Sequence, residues 1–335
     1  MNDTMTARDL ALLPKGHLHL HLEAAIRPDT LKELAAAGGI TIPPTSGFDG
    51  FAAFSGMYQG LLAVLADPAC LARLIDEAVE DAANDGAVYV EFGVSPQFYL
   101  EAFGTLESSL DRHIQLAREA GERFGVEIGL MVTVDRMRPV EDSIELARVA
   151  ASRAGEGVVS LGLANEERGY PAELFVEAFA IAKAAGLQSA PHAGELVGPE
   201  SVWQALNALN ADRVLHGVRA LEDDALLAVL KERGTPLDVC PTSNVILGVV
   251  PDLGVHPLPT LLDAGVRCSI NADDPVLFGP GLLDEYIAAR ESIGLSDEQL
   301  AACAWTSIET TLASDETKTA ARARIDAWLD GDAVA

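Results

Sequence analysis

The chain has 335 residues, 49% of them hydrophobic, so it is long enough to bury a large core. A length prior of about 150 residues per domain allows two domains, although α/β barrels of this length commonly form one. The net charge of −28 argues against nucleic acids, other polyanions and anionic membranes as partners, but excludes no small neutral ligand.

The first predicted element is a β-strand within residues 16–23, which read Gly-His-Leu-His-Leu-His-Leu-Glu. Side chains at alternate positions of a strand share one face, so this pattern predicts His17, His19 and His21 on one side of it. A buried imidazole needs a hydrogen-bond partner or a metal ion. Three histidines at this spacing favour a metal site over three separately satisfied core histidines, provided that further ligands follow.

Two helical segments come next. The first is predicted to begin at Pro28 and to end near Gly38, and a loop follows over residues 40–50. The second, residues 51–65, carries apolar side chains at helical spacing and is additional to a simple strand–helix alternation. Its pattern fits either core packing or a lid over the mouth of a site.

The remaining chain alternates regularly between helices and strands. Strands are predicted at residues 87–94, 126–134, 158–163, 187–192, 213–216, 236–240 and 266–272. Helices are predicted at residues 70–84, 106–124, 139–153, 171–185, 200–209, 223–233, 258–264, 282–292, 297–312 and 317–329.

Eight strands separated by helices predict an α/β fold, a closed (β/α)8 TIM barrel with extra helices after the first strand and at the C-terminus. A doubly wound open sheet is the alternative. It would usually place a glycine-rich nucleotide loop after the first strand, where this chain reads Glu-Ala-Ala-Ile-Arg-Pro. We therefore expect one barrel domain over residues 10–331, with flexible termini at 1–9 and 332–335.

Polar residues follow most of the predicted strands, at the end where barrel active sites lie. In strand order they are His19, His21 and Glu23, then Asn165, Glu166 and Glu167, then His192 and Glu195, then His216, then Ser243 and Asn244, and finally Asn271, Asp273 and Asp274. Each of these short motifs alone is a weak signal, but their convergence on one face is hard to attribute to packing. Nitrogen and oxygen ligands without a thiolate suit Zn²⁺, with Fe²⁺ or Mn²⁺ as possible substitutes.

The sequence favours a single metal ion. A two-metal barrel hydrolase would need a bridging group, often a modified lysine on the fourth strand, and residues 158–167 contain no lysine. One such ion can lower the pKa of bound water from about 15.7 to about 7. Glu195, facing the ion, could donate a proton to the group under attack.

Taken together, these motifs resemble the adenosine deaminase family of metal-dependent barrel hydrolases. The resemblance covers about residues 13–313 and rests on Leu-His-Leu-His-Leu-Glu (18–23), Pro-His-Ala-Gly-Glu (191–195), Leu-His-Gly (215–217), Cys-Pro-Thr-Ser-Asn (240–244) and Asn-Ala-Asp-Asp-Pro (271–275). The zinc deaminases that flip bases out of nucleic acids carry a Pro-Cys-x-x-Cys signature instead, and this sequence lacks it.

The resemblance implies a role for each matching residue. The ligands of one zinc ion per chain would be His19, His21, His192 and Asp273. The family pattern further implies that Glu195 protonates the purine ring nitrogen beside the amino-bearing carbon. His216 would orient the attacking water and take part in proton transfer. Asp274 would hydrogen-bond the imidazole-ring nitrogen of the purine, and Glu23 would reach the ribose.

Three positions depart from the family pattern. His17 stands where the family usually has an acidic residue, and Glu23 where it commonly has aspartate. Asn165 replaces a glycine whose N–H contacts the purine, so the N–H remains but a side chain now projects near the substrate. The adenine-specific branch also lacks this glycine, although its turn reads Asp-Ser-Ser-Glu, unlike the turn found here.

The expected reaction is the zinc-dependent hydrolytic deamination of adenosine to inosine and ammonia in purine metabolism, with 2′-deoxyadenosine as a second substrate. Adenine deamination and 6-aminodeoxyfutalosine deamination are alternatives within the family. A non-catalytic barrel acting as a binding module is the alternative of another class, against which the complete ligand set and Glu195 argue. The expected partner is a small purine nucleoside, with no nucleic acid and no membrane, and the sequence leaves the oligomeric state open.

A cytoplasmic location is expected. The first fifteen residues have no apolar core like that of a signal peptide, and no apolar run approaches a membrane span. The four cysteines are scattered without a C-x-x-C pair, which fits buried thiols in a reducing compartment better than a disulfide framework.

Overall fold

The computed structural model describes residues 8–42, 45, 47, 50–65 and 67–331. Residues 1–7 of the predicted terminus 1–9, the predicted terminus 332–335, and residues 43, 44, 46, 48 and 49 of the predicted loop lie outside the described residues. The strands are β1 (Lys15–His21), β2 (Ala87–Val94), β3 (Glu127–Asp135), β4 (Val158–Ala164), β5 (Gln188–Ala193), β6 (Val214–His216), β7 (Leu237–Val239) and β8 (Cys268–Ile270).

The helices alternate with these strands. They are α1 (Pro28–Gly38), α2 (Phe51–Val64), α3 (Pro68–Asn84), α4 (Leu100–Phe103), α5 (Leu106–Phe124), α6 (Val140–Ala151), α7 (Val176–Ala184), α8 (Pro199–Ala208), α9 (Asp224–Arg233), α10 (Pro241–Ile246), α11 (Leu258–Asp263), α12 (Pro275–Phe278), α13 (Leu282–Ala288), α14 (Asp297–Glu309) and α15 (Asp315–Asp330). Across the described ranges, no helix is long and apolar enough to cross a membrane.

The strands form one parallel sheet in the sequential order β1 to β8. The sheet closes between its ends. Asp273, just after β8, donates its backbone N–H to the carbonyl of His19 at 3.0 Å, and its own carbonyl accepts the N–H of His21 at 3.0 Å. The predicted (β/α)8 barrel is therefore confirmed, and the sequential strand order rules out the doubly wound alternative.

Strand β1 departs from strict alternation. His17 lies opposite Val90 and Leu20 opposite Phe92, so β1 uses three steps where β2 uses two. This extra residue is a β-bulge, a device that re-aims side chains near active sites. The amide oxygen of Asn271 accepts the N–H groups of both bulged residues, Leu18 at 2.7 Å and His19 at 3.2 Å.

Because of this bulge, the prediction that His17, His19 and His21 share one face is wrong. His17 lines a cavity on the outer side of the barrel together with Leu20, and its Nε2 accepts the backbone N–H of Ala272 at 3.1 Å. His19 and His21 instead belong to the cluster at the mouth of the barrel. The bulge thus separates one histidine of the motif from the other two.

The interior of the barrel is partly polar. Arg213 is fully buried and forms ion pairs with Glu91 and, at 2.6 Å, with Asp238. Ser160 donates to Glu91 at 2.6 Å, and Ser269 donates to Asp238 at 2.7 Å. Each buried carboxylate therefore has charged and neutral donors, which offsets the large cost of removing these charges from water.

Candidate active site

Four residues that could hold a metal ion meet at the C-terminal mouth of the barrel. His19 and His21 come from β1, His192 from β5 and Asp273 from the segment after β8. One ligand atom from each lies within 4.8 Å of the others. The Nε2 atoms of His19 and His21 lie 3.2 Å and 3.3 Å from Oδ1 of Asp273. These are the four residues that the family resemblance implies as ligands.

The hydrogen bonds around the histidines fit a bound cation. Nδ1 of His192 donates to the carbonyl of Leu163 at 2.9 Å, and Nδ1 of His19 lies 3.2 Å from the carbonyl of Asp238. A neutral ring that donates through Nδ1 keeps a lone pair on Nε2. The Nε2 atoms of His19 and His192 face each other at 3.0 Å. Two lone pairs cannot satisfy each other, but one cation between them satisfies both.

Two site residues adopt left-handed backbone conformations that only glycine adopts without strain. His216 has φ 61° and Asp273 has φ 63°. Non-glycine residues are uncommon in this region and cluster at functional sites, where the surrounding structure holds them. Part of that support for Asp273 is Ser243 at the start of α10, whose hydroxyl donates to Oδ2 of Asp273 at 2.7 Å.

A chain of hydrogen bonds sets the tautomer of His216. The N–H of Leu258 donates to Nδ1 of His256 at 3.1 Å, so Nε2 of His256 carries the proton that it donates to the amide oxygen of Asn244 at 3.3 Å. The amide nitrogen of Asn244 then donates to Nδ1 of His216 at 3.2 Å. The ring proton of neutral His216 therefore sits on Nε2, which points into the site, 3.5 Å from Oε2 of Glu195.

Burial and charge hold these groups in useful protonation states. Burial, reinforced by the carboxylates of Asp273 and Glu167, raises the pKa of Glu195 well above its ordinary value. Burial, with His19 nearby, lowers the pKa of His216 to about 3. These shifts favour a protonated Glu195 and a neutral His216, so that both can present a proton to the site.

Three buried carboxyl oxygens around the site have no hydrogen-bond partner among the described residues. They are Oε1 of Glu23, Oε1 of Glu195 and Oδ1 of Asp274. Leaving a buried polar atom unpaired costs roughly 1–3 kcal/mol, and more for a charged group. Atoms of this kind need an explanation, and a polar ligand that completes their hydrogen bonds is one.

The site opens into a pocket whose volume, counted together with the open solvent at its mouth, is about 750 Å³. One wall is α2, which contributes Phe51, Phe54 and Tyr58, and Phe54 stacks on Phe278 with ring centroids 5.4 Å apart. Farther along the same helix, Leu61 is fully buried in the core. One end of the helix therefore lines the pocket and the other packs in the core; its role as a lid stays a prediction.

Tyr58 also contacts Glu23, the residue expected to bind the ribose. Its hydroxyl donates to Oε2 of Glu23 at 3.0 Å. Glu23 is 1% exposed, and burial raises its pKa. Glu23 is not among the residues that line the pocket in this structure, whereas Tyr58 is. The second carboxyl oxygen of Glu23 has no hydrogen bond of normal geometry, although the buried hydroxyl of Tyr99 interacts with the same carboxyl group.

Asn165 lies on the pocket wall in a left-handed conformation, with φ 80°. Glycine is the least strained residue there, and asparagine is among the few that tolerate it. Its amide nitrogen donates to Oδ1 of Asp135 at 3.1 Å, and Asp135 also lines the pocket. Asp135 is not among the residues singled out from the sequence, although it directly follows the predicted strand 126–134.

The polar lining of the pocket is acidic and histidine-rich. Its carboxylates are those of Asp135, Glu195, Asp273 and Asp274, and among the described residues no lysine or arginine lines it. The described lining therefore offers neither of these cationic side chains to a ligand that carries a phosphate.

Comparison with known proteins gives consistent results. Residues 14–328 match the profile of the family described as adenosine deaminase. A Streptomyces virginiae protein named as an adenosine/adenine deaminase is 39% identical, over 97% of this chain and 99% of its own length. An adenosine deaminase of Escherichia coli O1:K1 is 35% identical, over 94% of this chain and 98% of its own.

Three solved structures also superpose well on this chain. An adenine deaminase from Arthrobacter aurescens superposes with a TM-score of 0.88 at 29% identity, covering 95% of this chain and 99% of that one. A zinc-bound amidohydrolase from Burkholderia ambifaria gives 0.85 at 26% identity, covering 98% and 96%. Arabidopsis ADAL complexed with IMP gives 0.85 at 25% identity, covering 96% and 98%.

Proposed function

This chain belongs to the adenosine deaminase family and is a hydrolytic deaminase, and we propose that it converts adenosine to inosine and 2′-deoxyadenosine to 2′-deoxyinosine, with release of ammonia. The observation that carries the proposal is the set of three partnerless carboxyl oxygens, on Glu23, Glu195 and Asp274, beside the histidine and aspartate cluster. An adenosine molecule offers the ring nitrogens and ribose hydroxyls that such a set can pair.

The family is metal-dependent, and we propose zinc, one ion per chain, held by His19, His21, His192 and Asp273. Three imidazoles and one carboxylate are a donor set that zinc accepts, as do Fe²⁺ and Mn²⁺. The bound zinc of the Burkholderia amidohydrolase supports the choice of metal. When bound, the ion supplies Lewis acidity that lowers the pKa of water.

The side chains around the metal ligands divide the remaining chemistry. Protonated Glu195 donates a proton to the ring nitrogen beside the amino-bearing carbon, which makes that carbon a better target for water. The Nε2–H of His216 orients the attacking water. One proton of that water leaves on the ammonia when the C–N bond breaks, and the other returns to Glu195. Asp274, buried and with its pKa raised well above the ordinary value by burial and by Asp273, donates to the imidazole-ring nitrogen of the purine.

Glu23 supplies the argument for a nucleoside. Its free oxygen can accept a ribose hydroxyl, and without that hydroxyl a buried acceptor stays unpaired. Sites built to bind a hydroxyl reject analogues that lack it, which favours adenosine over adenine. Asn165 lies on the pocket wall, where its backbone N–H can contact the purine and its side chain the sugar.

The pocket lining also supports a nucleoside over a nucleotide. Arabidopsis ADAL was solved with a nucleotide, IMP. In this chain no lysine or arginine is among the described lining residues, so neither of these cationic side chains is there to pair with a 5′-phosphate.

Adenine deamination is the second candidate, favoured by the contact between Tyr58 and Glu23. Because the tyrosine hydroxyl already satisfies one oxygen of Glu23, a bare base would leave a single oxygen unpaired rather than two. The similarity to the Arthrobacter adenine deaminase, at 29% identity, points in the same direction.

Two further expectations stand as proposals. We propose that residues 10–331 act as one barrel domain. We also propose that the protein works in the cytoplasm, an interpretation supported by four buried cysteines that are all free thiols.

A panel of 6-aminopurines assayed by ultraviolet absorbance tests the substrate. We expect kcat/KM to fall in the order adenosine and 2′-deoxyadenosine, then adenine, then AMP. Glu23→Ala should reduce kcat/KM for adenosine by about tenfold or more, because a ribose hydroxyl left buried without a partner costs about 1–3 kcal/mol, and should affect adenine much less.

Tyr58→Phe is the matched control, because it removes only the other hydrogen bond of Glu23 and keeps the aromatic wall. It should change adenosine turnover less than Glu23→Ala does. A higher kcat/KM for adenine than for adenosine, or equal losses on both substrates in Glu23→Ala, would replace the nucleoside proposal with adenine deamination.

A further inference from the structure

Glu167, three residues beyond the end of β4, accepts more hydrogen bonds than its sequence motif suggests. It is 5% exposed. Its carboxylate accepts the backbone N–H groups of four consecutive residues, Gly194 at 2.7 Å, Glu195 at 3.3 Å, Leu196 at 2.7 Å and Val197 at 2.8 Å. The hydroxyl of Ser201 on α8 donates to the same carboxylate.

These bonds satisfy the segment that joins β5 to α8. Residues 194–197 lie between the end of β5 and the start of α8, so neither a sheet nor a helix pairs their N–H groups. Buried backbone donors need partners, and one ionised carboxylate here satisfies four of them with charge-assisted bonds. The segment is consequently fixed to the end of β4 by a single side chain.

The same segment has little freedom to relax. Gly194 adopts a left-handed conformation with φ 68°, and a Cβ at this position would lie 2.5 Å from Cγ2 of Val202. Glu195 follows directly, with its carboxyl group in the pocket. A change in the path of residues 194–197 would therefore move the Glu195 carboxyl group relative to His216 and the ligand cluster.

We infer that Glu167 is a positioning residue for the reaction: by holding the N–H groups of residues 194–197 it sets the place of the Glu195 carboxyl group. The inference rests on the proposed role of Glu195 as the proton donor. It assigns Glu167 no contact with the substrate or the metal. Reacting groups misplaced by about 1 Å can cost about 100-fold in rate, so losing this anchor should reduce turnover strongly.

Glu166 offers a matched control. It is the neighbouring residue and the same amino acid, but its carboxylate bonds the side chain of Arg168, at 2.8 Å, on the surface. None of its described hydrogen bonds reaches residues 194–197. Glu166→Gln therefore makes the same chemical change one residue away, without touching the anchor.

The experiment compares Glu167→Gln, Glu167→Asp, Glu166→Gln and Glu195→Gln, each as the metal-loaded full chain, by kcat, KM, bound metal and Tm. Glutamine is isosteric but neutral, and its NH₂ opposes backbone donors. We expect Glu167→Gln to lower kcat by about 100-fold, with KM within about threefold and the metal content unchanged. Glu167→Asp keeps the charge, so its kcat should lie between those of Glu167→Gln and the wild type. The kcat of Glu166→Gln should match that of the wild type.

Two results would overturn the inference. One is a kcat of Glu167→Gln within about threefold of the wild type while Glu195→Gln is severely impaired. The other is a loss of activity that follows a loss of bound metal, which would make Glu167 a support of His192 instead. If Glu167→Gln fails to fold, the same criteria apply to Glu167→Asp. Normal turnover of Glu195→Gln would instead refute the proposed proton donor, and the inference with it.

Discussion

Glu195→Gln should lower kcat for adenosine by on the order of 10²–10⁴-fold while the metal stays bound, since general acid catalysis typically contributes that much. Glutamine keeps the size and the hydrogen-bonding capacity of the side chain but has no carboxyl proton to donate. The native group is well prepared for donation, because burial and the nearby acids raise its pKa well above the ordinary value. Steady-state kinetics combined with elemental analysis of the same preparation measures both quantities.

The structure provides reasons why this variant should fold. Glu195 is 7% exposed, and its Oε1 has no partner among the described residues, so an amide there breaks no existing bond of that atom. Turnover close to that of the wild type would mean that Glu195 has only a structural role.

His19→Ala should abolish tight metal binding and, with it, nearly all activity. His19 is fully buried, and its Nε2 faces both His192, at 3.0 Å, and Asp273, at 3.2 Å. Without it three ligands remain around an open position, and zinc sites with all ligands in place hold the metal best. Elemental analysis should give about one divalent ion per wild-type chain and much less in the variant.

The same strand supplies the control. His17→Ala removes a histidine two positions earlier, which the bulge in β1 places outside the metal cluster. It should retain the metal, although losing the acceptor for the Ala272 N–H should cost about 1–3 kcal/mol of stability. Two metal ions per wild-type chain, or an active protein without metal, would contradict the single-metal account.

Much of the fold could be predicted from the sequence because its signals are local. Helical and strand periodicities are read within about ten residues, and the predicted ranges 87–94 and 106–124 coincide with β2 and α5. The short helices α4, α10 and α12 were not predicted, since four to six residues carry little periodic pattern; α11 is equally short, but it was predicted over 258–264.

The position of His17 could not be predicted in the same way. The alternating His-Leu pattern fits a regular strand, and the bulge is stabilised by Asn271, which lies more than 250 residues later in the chain. A contact so distant leaves no trace in the local pattern. His19 lies within the bulge and His21 beyond it, and both reach the cluster at the mouth of the barrel.

The residues that support the site were even harder to predict from the sequence. Tyr58 lies 35 residues from Glu23, and Glu167 lies 27 to 30 residues from the N–H groups it accepts. The alternation of elements predicts which strand ends meet, but not which side chains bond across them. Asp135, in contrast, directly follows a predicted strand, so it could have been included among the polar residues at strand ends, as Asp273 was.

The most direct test of the account is the product balance of the metal-loaded protein with adenosine in oxygen-18-labelled water. Hydrolytic deamination predicts one ammonia for each inosine formed, with one labelled oxygen on the carbon that carried the amino group. Glu195→Gln, analysed in parallel, should form both products far more slowly. Ammonia without labelled inosine, or no reaction with adenosine while adenine yields labelled hypoxanthine, would contradict the proposed adenosine deamination.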